Sequence, residues 1–168
     1  MSVVACRVTK EKIEVSADSI SVRGYTQEKI TDKKYAKLCE VNGMIIGGVG
    51  LASENGMLQM FAASRKPATP TIDSLLEFMV EFGEWKKKKI DKYSHENDFI
   101  IVTDNHAFYA ASDLCIKEIS DYQAIGAGMD YALAALYLGC DTKKAVEVAS
   151  ELSIYCEKPI ITFEVKKL

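Results

Sequence analysis

Ser2, Asp18 and Lys34 carry a hydroxyl, a carboxylate and an ammonium at even intervals. Sixteen residues separate the first two, and sixteen the next two. Gathered in one place, such groups are the materials of acid–base and nucleophilic chemistry. Two hairpins could gather them. Val3–Val8 and Ile13–Ala17 are short β-rich runs around Thr9-Lys10-Glu11-Lys12. Paired, they set Ser2 across from Ser19 or Ile20, with Asp18 close by. Lys34–Val41 and Met44–Val49 flank Asn42-Gly43, two residues that both accept the positive φ of a tight hairpin turn. That turn puts Lys34 opposite Leu51, beside Gly50, on one strand face with Ala36 and Leu38. Taken singly, each residue also has a plain structural reading. Lys34 can snorkel at a strand rim, Asp18 can end a strand in a turn, and Ser2 can be a loose terminus.

The remaining elements must hold these two hairpins together. Ser19–Asp32 is a polar stretch. Gly47-Gly48-Val49-Gly50 closes a strand and leads into an expected helix over Ala52–Ala63, which Gly56 weakens. Pro67 and Pro70 mark a break. Thr71 then caps a helix with Ile72, Leu75, Leu76, Met79 and Phe82 at helical spacing. Lys86–Lys89 reads as the solvated C-terminal end of that helix. Phe99–Val102 and Ala107–Ala111 form another strand pair around Asp104-Asn105-His106, which Leu114–Ile119 could extend. Gly126-Ala127-Gly128 leads into Tyr131–Leu138, apolar nearly all round, as expected of a helix covered on several sides. Gly139 is the expected cap of that helix. Asp141 or Thr142 opens a last helix with Ala145, Val148, Ala149, Leu152 and Cys156 on one face, and Pro159–Val165 reads as a final strand. Helices thus come in pairs after hairpins. The economical packing is an α+β, four-layer αββα sandwich, with two antiparallel sheets face to face and a helix pair on each outer side. One domain is expected to span residues 1–168.

Composition narrows the function. Among 168 residues, 21 Lys+Arg stand against 24 Asp+Glu, a net charge of −3. That balance argues against a protein built to hold nucleic acid. Neither a secretory leader nor a run long enough to span a membrane is present. Five cysteines, an odd number with no C-x-x-C pair, point to a reduced, cytoplasmic protein. With His95 and His106 the only histidines, no zinc ligand set forms. The glycine runs each precede a helix, yet neither G-K-[S/T] nor G-x-G-x-x-G follows, which disfavours a phosphate-binding loop.

An ordered set of segments resembles the β-type subunits of the proteasome, and most closely the bacterial relative HslV, an N-terminal-nucleophile hydrolase. Ser2-Val3-Val4-Ala5 up to Ala17-Asp18 is similar to that family's opening strand pair. Lys33-Lys34-Tyr35-Ala36-Lys37-Leu38 is similar to its lysine strand. Gly47–Glu54 stands where the family has its glycine turn and first helix. Glu84-Trp85-Lys86 echoes a helix of that family. Ala124-Ile125-Gly126-Ala127-Gly128, Tyr131-Ala132 and Ala145 to Tyr155 complete the likeness.

The resemblance implies roles. Met1 would be removed, and Ser2 would be the nucleophile of a threonine/serine-type endopeptidase. Its own α-amine would be the base, because the reference pKa of a terminal amine, about 7.7–8.0, lies near working pH. Lys34 would supply positive charge, Asp18 would hold Lys34, and the N–H of Gly50 would face the oxyanion, with Gly48 as fallback. Ala127 stands where relatives carry a supporting serine, and Glu151 where they carry an acidic residue near the last helix end. The carbonyls of Ser150, Ser153 and Cys156 match a loop where relatives bind a monovalent cation such as Na+; the chemistry itself requires no cofactor. Peptides or unfolded proteins would be the substrates, inside a homo-oligomeric ring or double ring fed by an HslU-like ATPase. Two rivals belong to the same frame. One is a catalytically inactive ring or scaffold subunit that keeps Met1. The other is a non-peptide amidase of the superfamily, which could begin at Cys6 after loss of Met1–Ala5.

Overall fold

The computed structural model describes residues 2–29 and 36–167. Eleven strands and four helices are found among them. The chain opens with β1 (Val4–Val8) and β2 (Lys12–Ala17), then β3 (Ile20–Arg23) and β4 (Thr26–Lys29), then β5 (Leu38–Val41) and β6 (Met44–Val49). Helices α1 (Ala52–Ala62) and α2 (Ile72–Ile90) follow. Next come β7 (Asp98–Thr103), β8 (His106–Ala110), β9 (Ile116–Glu118) and β10 (Tyr122–Ile125). Helices α3 (Met129–Tyr137) and α4 (Thr142–Leu152) and strand β11 (Ile161–Lys166) close the chain.

Two antiparallel sheets carry the fold, in the orders β10-β1-β2-β11 and β5-β6-β7-β8-β9. Strand alternation sorts the apolar residues into three layers. Val4, Cys6, Ile13, Val15 and Ala17 of the first sheet meet Leu38, Ile45, Val49, Ile100 and Val102 of the second. On the outer face of the second sheet, Met44, Ile46, Phe99, Ile101 and Phe108 pack on Leu58 and Phe61 of α1 and on Leu75, Phe78, Met79 and Phe82 of α2. On the outer face of the first, Val3, Ala5 and Ala124 pack on Ala132 and Leu136 of α3 and on Ala145, Val146 and Ala149 of α4. The αββα sandwich follows from period two in the strands meeting period 3.6 in the helices.

The expected registers are present. Val4 pairs with Ala17, which brings Ser2 level with Ser19. Asn42 and Gly43 turn at φ 51° and 74°, and Leu38 pairs with Gly47. Thr71 caps α2 by accepting the Ser74 N–H at 3.3 Å, and Asp141 caps α4 by accepting the Lys144 N–H at 2.7 Å.

Four local expectations are corrected. The polar stretch after Asp18 contains a two-stranded hairpin, β3–β4, whose outer strand is wholly exposed and so shows no apolar alternation. Strand β10 lies beside β1 and makes β1 an interior strand. Lys86 is not solvated: it is 1% exposed, buried under α2, while Lys87, Lys88 and Lys89 face out. Helix α3 is not covered all round either, since Tyr137 and the following Leu138 stay 77% and 79% exposed.

Candidate active site

The start of β1 and the end of β2 are tied by Asp18. Its N–H donates to the Val3 carbonyl at 3.3 Å, and its Oδ1 accepts the Val3 N–H at 2.9 Å. Its Oδ2 takes the ammonium of Lys37 at 2.8 Å and the N–H of Glu157 at 3.4 Å. Asp18 is 1% exposed and Lys37 6%. A carboxylate so deeply buried is tolerable because three donors replace water. Burial pulls the Lys37 ammonium below the ordinary lysine range, and the charge of Asp18 works against that fall.

The spacing of sixteen selected Lys34. Lys34, like Met1, lies outside the described residues, and the ammonium on Asp18 is that of Lys37, nineteen residues further along the chain. The reason is local. The Asn42-Gly43 turn carries the strand pairing one step beyond Leu38–Gly47, where the Gly48 N–H donates to the Lys37 carbonyl at 2.7 Å. The chain bends at Lys37, and its side chain turns to Asp18, whereas Ala36 and Leu38 line a separate groove of about 490 Å³ with Ile161 and Phe163. Spacing did not single out Lys37, because the β3–β4 excursion can vary in length without altering the register of the hairpin that follows.

Ser2, Lys37 and Gly50 line one small cleft, together with Ile20, Ser21, Val22, Ala52 and Asn55. Ser2 is 3% exposed. Gly50 stands at the exposed end of β6 with φ 129°, a conformation that side chains rarely adopt. Gly48, the fallback, has its N–H committed to the sheet and its carbonyl to the Asn55 amide at 3.2 Å. The turn after β10 presses on Ser2 from behind. The Gly128 N–H donates to the Ser2 carbonyl at 3.2 Å, and a Cβ on Gly126 would stand 2.3 Å from the same oxygen. Ala127 between them is exposed.

The weaker expectations fare differently. Glu151 sits on the outer face of α4, paired at 2.8 Å with Lys158, with side chains 68% and 54% exposed. It does not reach the cleft, because the inward face of α4 belongs to Thr142, Ala145, Val146 and Ala149. Around the end of α4, the Ser153 carbonyl accepts the Cys156 N–H at 3.3 Å, and the buried Ser150 hydroxyl has no hydrogen-bond partner among the described residues. All-oxygen donors of this kind suit a hard cation. Among the described residues, no group of three or more His, Cys, Asp or Glu could hold a metal ion. Burial pushes the Cys156 thiol up to about 11, with the Asp18 charge adding to it. Cys6 lies within β1, its thiol in the inter-sheet core and pushed up to about 12 by burial.

One buried cluster went unforeseen. Asn97, fully buried, accepts the Leu51 N–H and donates to Asn55, just behind Gly50. Only the register of β7 against β6 could have hinted at it, since Val49 pairs with Asp98.

Whole-chain comparison places this arrangement among known folds. Thiobacillus denitrificans BPH, solved in complex with epoxomicin, superposes with a TM-score of 0.86 at 20% identity, covering 98% of each chain. A second structure of that BPH gives 0.86 at 20% identity, over 98% of this chain and 97% of that one. Eukaryotic HslV from Trypanosoma brucei gives 0.74 at 13% identity, over 98% and 99%. The fold is HslV-like. No family model matches the chain, and no curated protein matches it by sequence. The HslV-like sandwich thus extends over nearly the whole chain at low identity. No helix among the described residues is long and apolar enough to cross a membrane.

Proposed function

We propose that the chain is a peptidase of the N-terminal-nucleophile type, with Ser2 as nucleophile once Met1 is removed. The observation that carries the reading is one cleft lined by Ser2, Lys37 and Gly50, with Asp18 bonded both to Lys37 and to the backbone next to Ser2. Ser2 Oγ attacks the scissile carbonyl, and the α-amine of Ser2 takes the hydroxyl proton. The Lys37 ammonium stabilises the oxygen as it becomes anionic before attack and disfavours protonation of the amine. Gly50 donates its N–H to the tetrahedral oxyanion. Collapse breaks the peptide C–N bond, and the α-ammonium returns its proton to the departing amine. Water, deprotonated by the same α-amine, then attacks the Ser2 ester; the acyl C–Oγ bond breaks and the α-ammonium returns the proton to Ser2 Oγ. Lys37 here takes the role first expected of Lys34.

A sodium ion on the carbonyls of Ser150, Ser153 and Cys156 would brace the loop that brings the Glu157 N–H to Asp18. Peptides or unfolded proteins are the proposed substrates. A homo-oligomeric ring and an HslU-like ATPase are the proposed partners, because HslV-like folds are used in that setting. Cytoplasm is the proposed compartment. The BPH neighbour solved with epoxomicin supplies a probe for this chain.

The test combines N-terminal mass analysis of native protein with turnover of a small fluorogenic peptide. Chains beginning at Ser2, hydrolysis, and covalent trapping by a serine-reactive peptide warhead are expected. Ser2→Ala should abolish turnover and trapping while leaving the assembly intact. Turnover that survives in Ser2→Ala refutes the reading. Uniform retention of Met1 without turnover would instead make the chain a non-catalytic scaffold.

A further inference from the structure

Gly50 has no side chain to set its own orientation, and glycine is close to indifferent among backbone conformers. Something outside it must therefore fix where its N–H points. The β6–β7 register, carried one step past Val49–Asp98, places Asn97 opposite Gly50. Asn97 is 0% exposed. Its Oδ1 accepts the Leu51 N–H at 2.6 Å, and its Nδ2 donates to the Leu51 carbonyl at 2.9 Å. The same Nδ2 donates to Asn55 Oδ1 at 2.8 Å. Asn55, in the first turn of α1, donates through Nδ2 to the Gly48 carbonyl at 3.2 Å.

Two side-chain amides thus grip the turn on both sides of Gly50. Leu51 is held by both backbone groups, and Gly48 by its carbonyl. Contact is close enough that a Cβ on Gly50 would stand 2.2 Å from Asn97 Oδ1, and one on Gly48 2.2 Å from Asn55 Oδ1. An amide suits this task because it offers acceptor and donor in one rigid plane, matching the N–H and C=O of a single residue. Leucine would fill the space but satisfy neither group, and aspartate would lack the donors.

We propose that Asn97, seconded by Asn55, is a positioning residue of the reaction. With Asn55 it clamps the peptide groups on either side of the Val49–Gly50 peptide, so that the Gly50 N–H meets the oxyanion of the transition state. This inference rests on the peptidase reading above. Such a residue acts on the transition state and leaves ground-state binding alone.

Asn97→Ala and Asn97→Asp are therefore expected to lower kcat about ten- to a hundredfold, with KM within about twofold of wild type. A peptide aldehyde, whose hemiacetal oxygen on Ser2 takes the oxyanion position, should lose affinity by a similar factor. A non-reactive peptide competitor of the same sequence should bind as before. Should the Asn97 variants fail to fold, Asn55→Ala, which frees the Gly48 carbonyl and removes one of the two acceptors of Asn97 Nδ2, must show the same split at smaller size. Equal losses for aldehyde and competitor, or wild-type kcat in a folded variant, overturn the proposal. Ser2→Ala separates the two claims. If it is inactive while Asn97→Ala keeps full kcat, only the positioning role falls; if it still turns over substrate, the peptidase reading falls with it.

Discussion

Among the described residues, two buried lysine–carboxylate pairs differ in what surrounds them. Lys37 meets Asp18 at 2.8 Å between the sheet ends. Lys86 meets Glu54 at 3.2 Å beneath α2. Both are almost fully shielded, with side chains 5% and 0% exposed in the first and 1% and 5% in the second. The second pair is enclosed. Lys86 also donates to the Ser94 carbonyl at 2.7 Å, and Glu54 also accepts the Glu96 N–H at 3.2 Å. His95 stacks on Phe82 and bonds the Met79 carbonyl through Nε2 at 3.1 Å. Because a carbonyl only accepts, Nε2 is the donor in this bond. Burial would raise the Glu54 carboxyl, but the contacts from His95, Lys86 and the Glu96 N–H outweigh it and leave it below its ordinary value. The first pair borders a cleft that also holds Ser2 and Gly50. A buried ion pair is thus no mark of function by itself; an adjoining hydroxyl and an open cleft are what set the first apart.

The sharpest way to break this contrast is to remove each ammonium. Lys37→Met should cut turnover per folded molecule by at least about a hundredfold. Lys86→Met should leave turnover per folded molecule unchanged but lower stability by about 3–5 kcal/mol, because it strands a buried carboxylate. Peptide hydrolysis and chemical denaturation, measured on both variants, decide it. Equal turnover in the two would erase the distinction.

A smaller effect sharpens the first pair. Activity that needs the Lys37 ammonium is lost as pH rises through its pKa, which burial already holds below the ordinary lysine range while Asp18 opposes the fall. Asp18→Asn removes the opposing charge, so the alkaline limb of kcat/KM should move to still lower pH. A limb that stays in place, or moves up, would show that Lys37 does not set it. The smallest effect belongs to the surface. Glu151→Ala breaks a solvent-exposed pair with Lys158 and should leave both melting temperature and hydrolysis near wild type, as exposed pairs contribute little. A clear loss of activity there would restore the role that the resemblance suggested for Glu151.

Much of the sandwich was readable because its signals are local. Asn42-Gly43 sets one hairpin register through its own dihedral angles, and Thr71 and Asp141 cap helices through bonds within one turn. Alternation in Val3–Val8 and Ile13–Ala17 sorts those strands between two layers without reference to anything distant. Ser2, Asp18 and Gly50 could be singled out for the same reason, each lying a few residues from a turn with fixed pairing.

Tertiary structure decided the rest. Which lysine reaches Asp18 depends on how far the chain travels between two fixed hairpins, and the length of such an excursion leaves no trace in either register. The fate of Lys86 depends on Glu54 and His95 arriving from other segments, although its neighbours Lys87–Lys89 look the same in sequence and face solvent. Asn97 is an ordinary polar residue before a strand until β7 lies beside β6 and carries its amide to Leu51. Periodicity and turn chemistry act over a few residues and so are written in order along the chain. Desolvation and pairing of a charge or an amide act through space, so they are settled only when distant segments close around it.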